Sequence, residues 1–375
     1  MPHRLSGRFM RIRALTLLTV LYWSSLLRAE RWEMQYFYDE NKTSMVLNDI
    51  EFCSANRGVA VGAVVDRRGA PSPVALVTTD GGKQWVVVKT KEVGLTLFFL
   101  NETAGWMVTP GGIWLSDEAG RSWRRIRKEQ GLERVYFLNA EHGYAIGAQK
   151  RVIETKDGGK SWTPLKAAEN LKTSAERTAF HGISFTGNKT GVIVGQARAR
   201  SDARRPAWMD PEMNRRERPS LSVFLQTKDG GTVWDEKTNS IFGRISQLQL
   251  AASGIGLALL EFEHSFDYPS EVYRLDLRNG KTERALRSKD LAITDVALVP
   301  SSGAAFAAGF EATGSVFKSP IPGKLRLLRS DNLSEWKSMD VDYRAVAGRV
   351  SIGAWDAEHA WVATDTGMIL QMVRD

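Results

Sequence analysis

Seven arginines fall within residues 198–218: Arg198, Arg200, Arg204, Arg205, Arg215, Arg216 and Arg218, with Trp208 among them. A guanidinium binds a carboxylate through two parallel hydrogen bonds and stacks on aromatic rings. This density of arginine therefore suits recognition of an acidic or carboxylate-rich partner, with Trp208 as an apolar anchor. Asp202, Asp210, Glu212 and Glu217 are interleaved and leave the segment at +3. The competing reading is a solvated loop whose Trp folds back on the body of the protein and whose internal ion pairs contribute little. Other chemistry is sparse. His3, His142, His181, His264 and His359 are dispersed without metal-ligand spacing, so neither a metal nor a cofactor is expected. Cys53 is the only cysteine, which excludes an intramolecular disulfide and suits a buried strand position.

The frame that must hold this segment is written in four near-copies of one octet: TTDGGKQW at 78–85, SDEAGRSW at 116–123, TKDGGKSW at 155–162 and TKDGGTVW at 227–234. The pattern Ser/Thr-x-Asp-x-Gly-x-x-Trp resembles the Asp-box of bacterial sialidase-type repeats. In such a turn Asp80, Asp157 and Asp229 bond nearby backbone groups, and Gly82, Gly120, Gly159 and Gly231 supply a positive φ. Trp85, Trp123, Trp162 and Trp234 then open the next strand and bury their rings. Glu118 replaces the Asp in the second copy and predicts a weaker turn. Every named position is used by the turn itself, so the octets specify hairpins and not catalysis.

Successive octet tryptophans are 38 and 39 residues apart and then 72. The shorter spacings match a four-stranded propeller blade. Only one strand pair, 183–185 with 191–195, lies in the longer gap, which predicts one blade carrying an insertion at about 196–220. Degenerate units follow. One ends at 276–283 without its Trp, and another ends with Asp331 and Trp336 but has Leu333 in place of the Gly. A half-unit at 350–370 lacks its last strand, and the strand around Trp32 matches the missing piece. Pairing it there removes an open edge. The count is seven blades, with six and eight as neighbouring counts, in one all-β domain covering 30–375.

Arg4, Arg8, Arg11 and Arg13 precede an apolar run at 14–23 that extends through Leu26 and Leu27. A basic segment followed by a short apolar one reads as a secretory signal over 1–29, cleaved after Ala29. Arg28 beside that site is atypical, and a retained anchor is the alternative. The leader holds five Arg and no acid, so removing it lowers the formal charge from +8 to +3. Nucleic-acid binding loses its support. The mature chain is expected to be a periplasmic or secreted monomer without a membrane span.

Beyond the octets, the strand ends Gly143-Tyr144-Ala145-Ile146-Gly147 and Gly191-Val192-Ile193-Val194-Gly195, followed by Thr-x-Asp-Gly-Gly-Lys-x-Trp, resemble the photosystem II stability/assembly factors. These are cyanobacterial and chloroplast lumenal proteins with relatives in bacteria that do not photosynthesise. The resemblance is clearest from about Ile50 to Trp234. It implies a seven-bladed propeller that acts without catalysis, binding a newly made reaction-centre protein and its pigments through an Arg-rich face. A protein client, such as a membrane-protein assembly intermediate, is thereby implied, and the thylakoid lumen if the source is photosynthetic. A periplasmic or secreted relative serving another client is the alternative. The enzymatic alternative is a glycan-binding or glycan-hydrolysing propeller. Sialidases carry an early Arg-Ile-Pro segment, which is missing from 30–100, and two-propeller xyloglucan hydrolases use an interdomain cleft that one propeller cannot form.

Overall fold

Short runs of apolar residues broken by Gly- and Asp-containing turns favour antiparallel strands joined by tight hairpins. In the computed structural model, which describes residues 30–40, 42–198, 220–262, 268–311, 323–342 and 344–374, they form seven antiparallel sheets. The expected leader lies outside the described residues. Six sheets are made of consecutive strands and form blades one to six, at 44–89, 96–128, 132–164, 178–241, 244–287 and 291–338. Blade seven combines Val350–Ala354, Ala360–Thr364 and Met368–Arg374 with the N-terminal strand Glu30–Phe37. That strand runs antiparallel to Met368–Arg374 and places Trp32 opposite Met372 and Met34 opposite Leu370. The ring is thus closed by joining the two ends of the chain, as the unpaired terminal strands required. Asp340–Val341 adds a parallel fifth strand outside it. The Glu30 carboxylate is held by Arg329 at 2.9 Å and Arg374 at 2.6 Å.

The phrase Gly143-Tyr144-Ala145-Ile146-Gly147 has a steric cause. A Cβ on Gly143 would lie 2.6 Å from the Phe137 ring, and one on Gly147 would lie 2.0 Å from the carbonyl oxygen of Gly131. The first glycine therefore admits the Phe that ends the inner strand, and the second admits backbone displaced by a β-bulge between Leu132 and Arg134. The aromatic between them packs on the next blade. Trp106 stacks on Phe137 at 3.8 Å, Tyr144 on Phe185 at 5.6 Å, and Trp361 on Phe52 at 3.4 Å. Octet tryptophans meet the same Phe positions edge-on: Trp85 with Phe52, Trp123 with Phe99, Trp162 with Phe137 and Trp234 with Phe185. Their equivalent placement repeats the same packing unit in blades one to four.

Around the axis, each inner strand is fastened to the next by a side chain. Asp49 accepts the N–H of Leu97 at 2.7 Å, and the Thr96 hydroxyl donates to the Glu133 carbonyl at 2.7 Å. Arg134 Nε donates to the His181 carbonyl at 2.8 Å, and Ser184 accepts the N–H of Leu250 at 2.9 Å. Gln249 accepts the N–H of Leu298 at 2.6 Å, Asp295 that of Ile352 at 2.7 Å, and the Ser351 hydroxyl returns to Asp49 at 2.6 Å. Seven blade junctions, seven links. Asp49 also accepts the N–H of Ile50, so Asp49→Ala is expected to cost about 2–4 kcal/mol by leaving several donors unpaired. Asp49→Asn, which keeps one acceptor oxygen, should lose about half as much. Equal losses in urea unfolding would contradict this assignment.

Candidate binding site

Because the strands of each blade alternate in direction, hairpins between strands one and two and between three and four share one face of the ring. Connections between strands two and three, and between blades, share the other. The Asp-boxes lie on the first face. The insertion at 199–219 joins Thr190–Ala197 to Ser220–Thr227 and so springs from the second.

Of the arginines proposed for partner binding, Arg198 is exposed at the end of its strand, where its N–H donates to the Arg177 carbonyl at 2.9 Å. Arg200, Arg204, Arg205, Trp208, Arg215, Arg216 and Arg218 lie outside the described residues. The surroundings of Arg198 extend the basic character. The connection from blade three to blade four contains a short helix, Lys166–Glu169, pinned by buried Leu165 and Leu171, with Lys166 and Lys172 exposed. Lys150 Nζ donates to the Leu171 carbonyl at 2.5 Å. Beside it, Arg127 and Arg151 share the Glu129 carboxylate at 2.7 and 3.1 Å, so that group of three retains a positive charge. Sequence reading passed over this sector. Its trace was the run Arg124-Arg125-Ile126-Arg127-Lys128 on the outer strand of blade two.

On the opposite face the octets are turns in the physical detail. Thr155 Oγ1 donates to Asp157 at 2.9 Å and accepts the Gly159 N–H at 2.9 Å, while Asp157 accepts the Ser161 N–H at 2.8 Å. Thr78, Asp80, Gly82 and Gln84 repeat the pattern, as do Thr227, Asp229, Gly231 and Val233. The Ser161 hydroxyl also donates to Asp157, at 2.5 Å, and this bond first, with the others, favours the carboxylate form and holds Asp157 at about 2. In the second octet Ser116 still accepts the Gly120 N–H, but Glu118 bonds the Ser122 hydroxyl, and Ala119 takes a left-handed φ of 55°. In blade six the Asp position belongs to Asn332, which accepts the Ser334 and Glu335 N–H groups. Asp331 is not the turn acceptor: that octet is one residue short, and Asp331 instead pairs with Arg329 at 2.9 Å. Trp336 packs among partly buried residues beside the core of blades five and six.

Between the faces, the inner strands enclose a channel with two chambers of about 410 and 430 Å³. They meet at a waist that includes Glu51, Arg134 and Gln247. The chamber towards the insertion face is charged, with Glu133, His181, Arg244 and Arg349 in its wall. The other is lined near its mouth by Phe99, Leu100, Leu250, Pro300 and Trp355. Burial, reinforced by Asp49 and Asp295, pushes Glu51 up to about 8. Burial also raises Asp49, and it raises Asp295 to about 6. Cys53 is half-buried, and burial lifts its thiol to about 11, so it is not poised as a nucleophile. His142, His181 and His359 each pair with a carboxylate. Among the described residues no group of three or more His, Cys, Asp or Glu is arranged to hold a metal ion, and no helix is long and apolar enough to cross a membrane.

Fold and faces together define a seven-bladed Asp-box propeller with a basic sector on the face opposite its octets. The model of the family described as photosynthesis system II assembly factor YCF48 matches residues 128–199, which run from the end of blade two into the base of the insertion. The photosystem II assembly lipoprotein Ycf48 of Trichormus variabilis is 34% identical over 58 residues, 16% of each chain. The chloroplastic photosystem II stability/assembly factor HCF136 of Arabidopsis thaliana is 27% identical over 94 residues, 24% of this chain and 22% of that one. These matches thus span less than a quarter of the curated relatives' length. In fold the similarity is wider. The structure of YCF48 bound to D1 peptide matches with a TM-score of 0.58 at 17% identity, over 92% of this chain and 97% of that one. YCF48 from Cyanidioschyzon merolae gives 0.57 at 16%, over 91% and 98%. The chain thus resembles the photosystem II assembly factors in sequence across residues 128–199 and shares their propeller fold over most of its length.

Proposed function

We propose that this protein is an exported, non-catalytic scaffold that captures a protein client through the insertion face. One observation carries the reading: the Arg-rich insertion springs from the same sector of the ring as Lys150, Arg151, Lys166, Lys172 and Arg198, on the face that the Asp-boxes do not occupy. A solved propeller of the same fold is described as bound to a peptide, which supports protein binding as the use of such a surface. Asp49 and Asp295 are occupied with backbone donors at blade junctions, which favours a structural over a hydrolytic role for these channel carboxylates. Export after cleavage at Ala29 completes the proposal.

The test is capture of client by the purified protein, with client peptides rich in carboxylates as the quantitative probe. Replacing Arg204, Arg205, Arg215 and Arg216 with Ala should weaken binding by at least tenfold and flatten its dependence on salt, while Trp208→Ala should chiefly speed dissociation. Melting should change little in both. Undiminished capture by a folded protein lacking 199–219 would refute the assignment of the insertion, and turnover of a glycan would refute the non-catalytic reading.

A further inference from the structure

The channel is not required for capture on the insertion face, yet its chamber on the Asp-box side is shaped for a small ligand. Its volume of about 410 Å³ falls within the roughly 300–1,000 Å³ usual for such sites. The mouth carries Leu100, Leu250 and Pro300 together with polar Asn101, and Trp355, which is 46% exposed, on the turn following the inner strand of blade seven. At the inner end stands Glu51. Protein encloses this side chain apart from the lumen, and it has no hydrogen-bond partner among the described residues. Its neighbours differ in this respect: Asp49 and Asp295 accept backbone N–H groups, and Arg134 Nε is committed to the His181 carbonyl.

We infer that this chamber binds a primary ammonium carried on a short apolar chain, with the nitrogen at Glu51 and the chain running towards Trp355. Asp49 and Asp295, which line the far chamber and act on Glu51, outnumber the Arg134 guanidinium, which disfavours an anion. Among the described residues no cluster of donors is arranged to hold a metal ion. An ammonium needs only one uncommitted carboxylate, and a short alkyl stem can lie against Leu100, Leu250, Pro300 and Trp355 in an otherwise mixed wall.

The vacant site should hold a proton at neutral pH, because burial and the charges of Asp49 and Asp295 raise Glu51 to about 8. The ligand must displace that proton, so its affinity should rise with pH, by up to about tenfold per unit below this value. Cys53 and Tyr136 also line this chamber, but burial raises both, so neither changes charge near neutral pH; in the far chamber His181 is paired with Glu133 and Arg244 with Glu261, and Arg349 lies in its wall.

Calorimetric titration of the purified protein with n-hexylamine, n-hexanol and hexanoate tests the site without any client, and so independently of the insertion. Hexylamine should bind at least tenfold more tightly than either control, with affinity rising between pH 6.5 and 7.5 and a proton released to buffer. Glu51→Gln should reduce that affinity at least tenfold, and Trp355→Ala should weaken hexylamine more than ethylamine. Blocked lysine, Nα-acetyl-lysine methylamide, distinguishes a side-chain ammonium from a free amine as the natural source. Equal binding of hexanol, a flat pH profile or unchanged affinity in folded Glu51→Gln would overturn the inference. The wild-type ligand and pH series decides the matter alone if that variant does not fold.

Discussion

Trp361→Ala should destabilise the propeller by about 3–5 kcal/mol. Trp361 is fully buried, lies flat on Phe52 with 3.4 Å between ring centroids, and donates its indole N–H to the Gly81 carbonyl at 3.0 Å. It therefore joins the last blade to the first through both apolar contact and a polar bond at the Asp-box. Removing it opens a large cavity and leaves a buried carbonyl without that donor. Trp361→Phe keeps much of the stack and should lose about 1–2 kcal/mol, from the hydrogen bond and the smaller ring. Trp106 provides the control, because it stacks on Phe137 in the same way but its indole nitrogen has no hydrogen-bond partner. Trp106→Phe should cost less than Trp361→Phe. Guanidinium unfolding followed by fluorescence and circular dichroism would measure both. The reverse order would show that the indole hydrogen bond at the closing junction contributes nothing.

This contrast also marks how far sequence could lead. The octets were legible because the residues of each turn are adjacent in the chain, and their bonds depend on local conformation. Closure was legible because Met368–Arg374 needed an outer partner and the Trp32 segment had none. In blade six the missing residue shifted the turn acceptor to Asn332, which a search for Asp could not see. The channel was hidden for a different reason. Asp49 and Asp295 are 246 positions apart, and only ring closure brings their blades around one axis. Bulges between Leu47 and Asp49 and between Ile293 and Asp295 interrupt strand register beside the linking carboxylates, so simple alternation does not specify their direction. The basic sector around Arg127 and Arg151 likewise depends on the juxtaposition of blades two and three.

The channel carboxylates predict an unusual dependence of stability on pH. Glu51 is raised in the folded protein from 4.5 to about 8, so between those values the folded state binds more protons than the unfolded one. Stability must then fall as pH rises through this window. The favourable contribution is fully present below the unfolded value and is lost once pH passes the folded one. Asp295, raised to about 6, adds a slope in the lower part of the same range. The turn carboxylates act in the opposite direction but elsewhere: Asp157, held at about 2, loses its contribution on acidification below the usual carboxylate range. Glu51→Gln cannot take up the charge and should stabilise the ring at pH 8.5 by roughly 2–4 kcal/mol, less than the full shift would give because the lumen admits solvent. At pH 5 the variant and the wild type should differ little. Chemical unfolding at a series of pH values would therefore give converging curves in acid and diverging ones in base. Parallel curves across the whole range would mean that Glu51 is ionised in the folded propeller throughout.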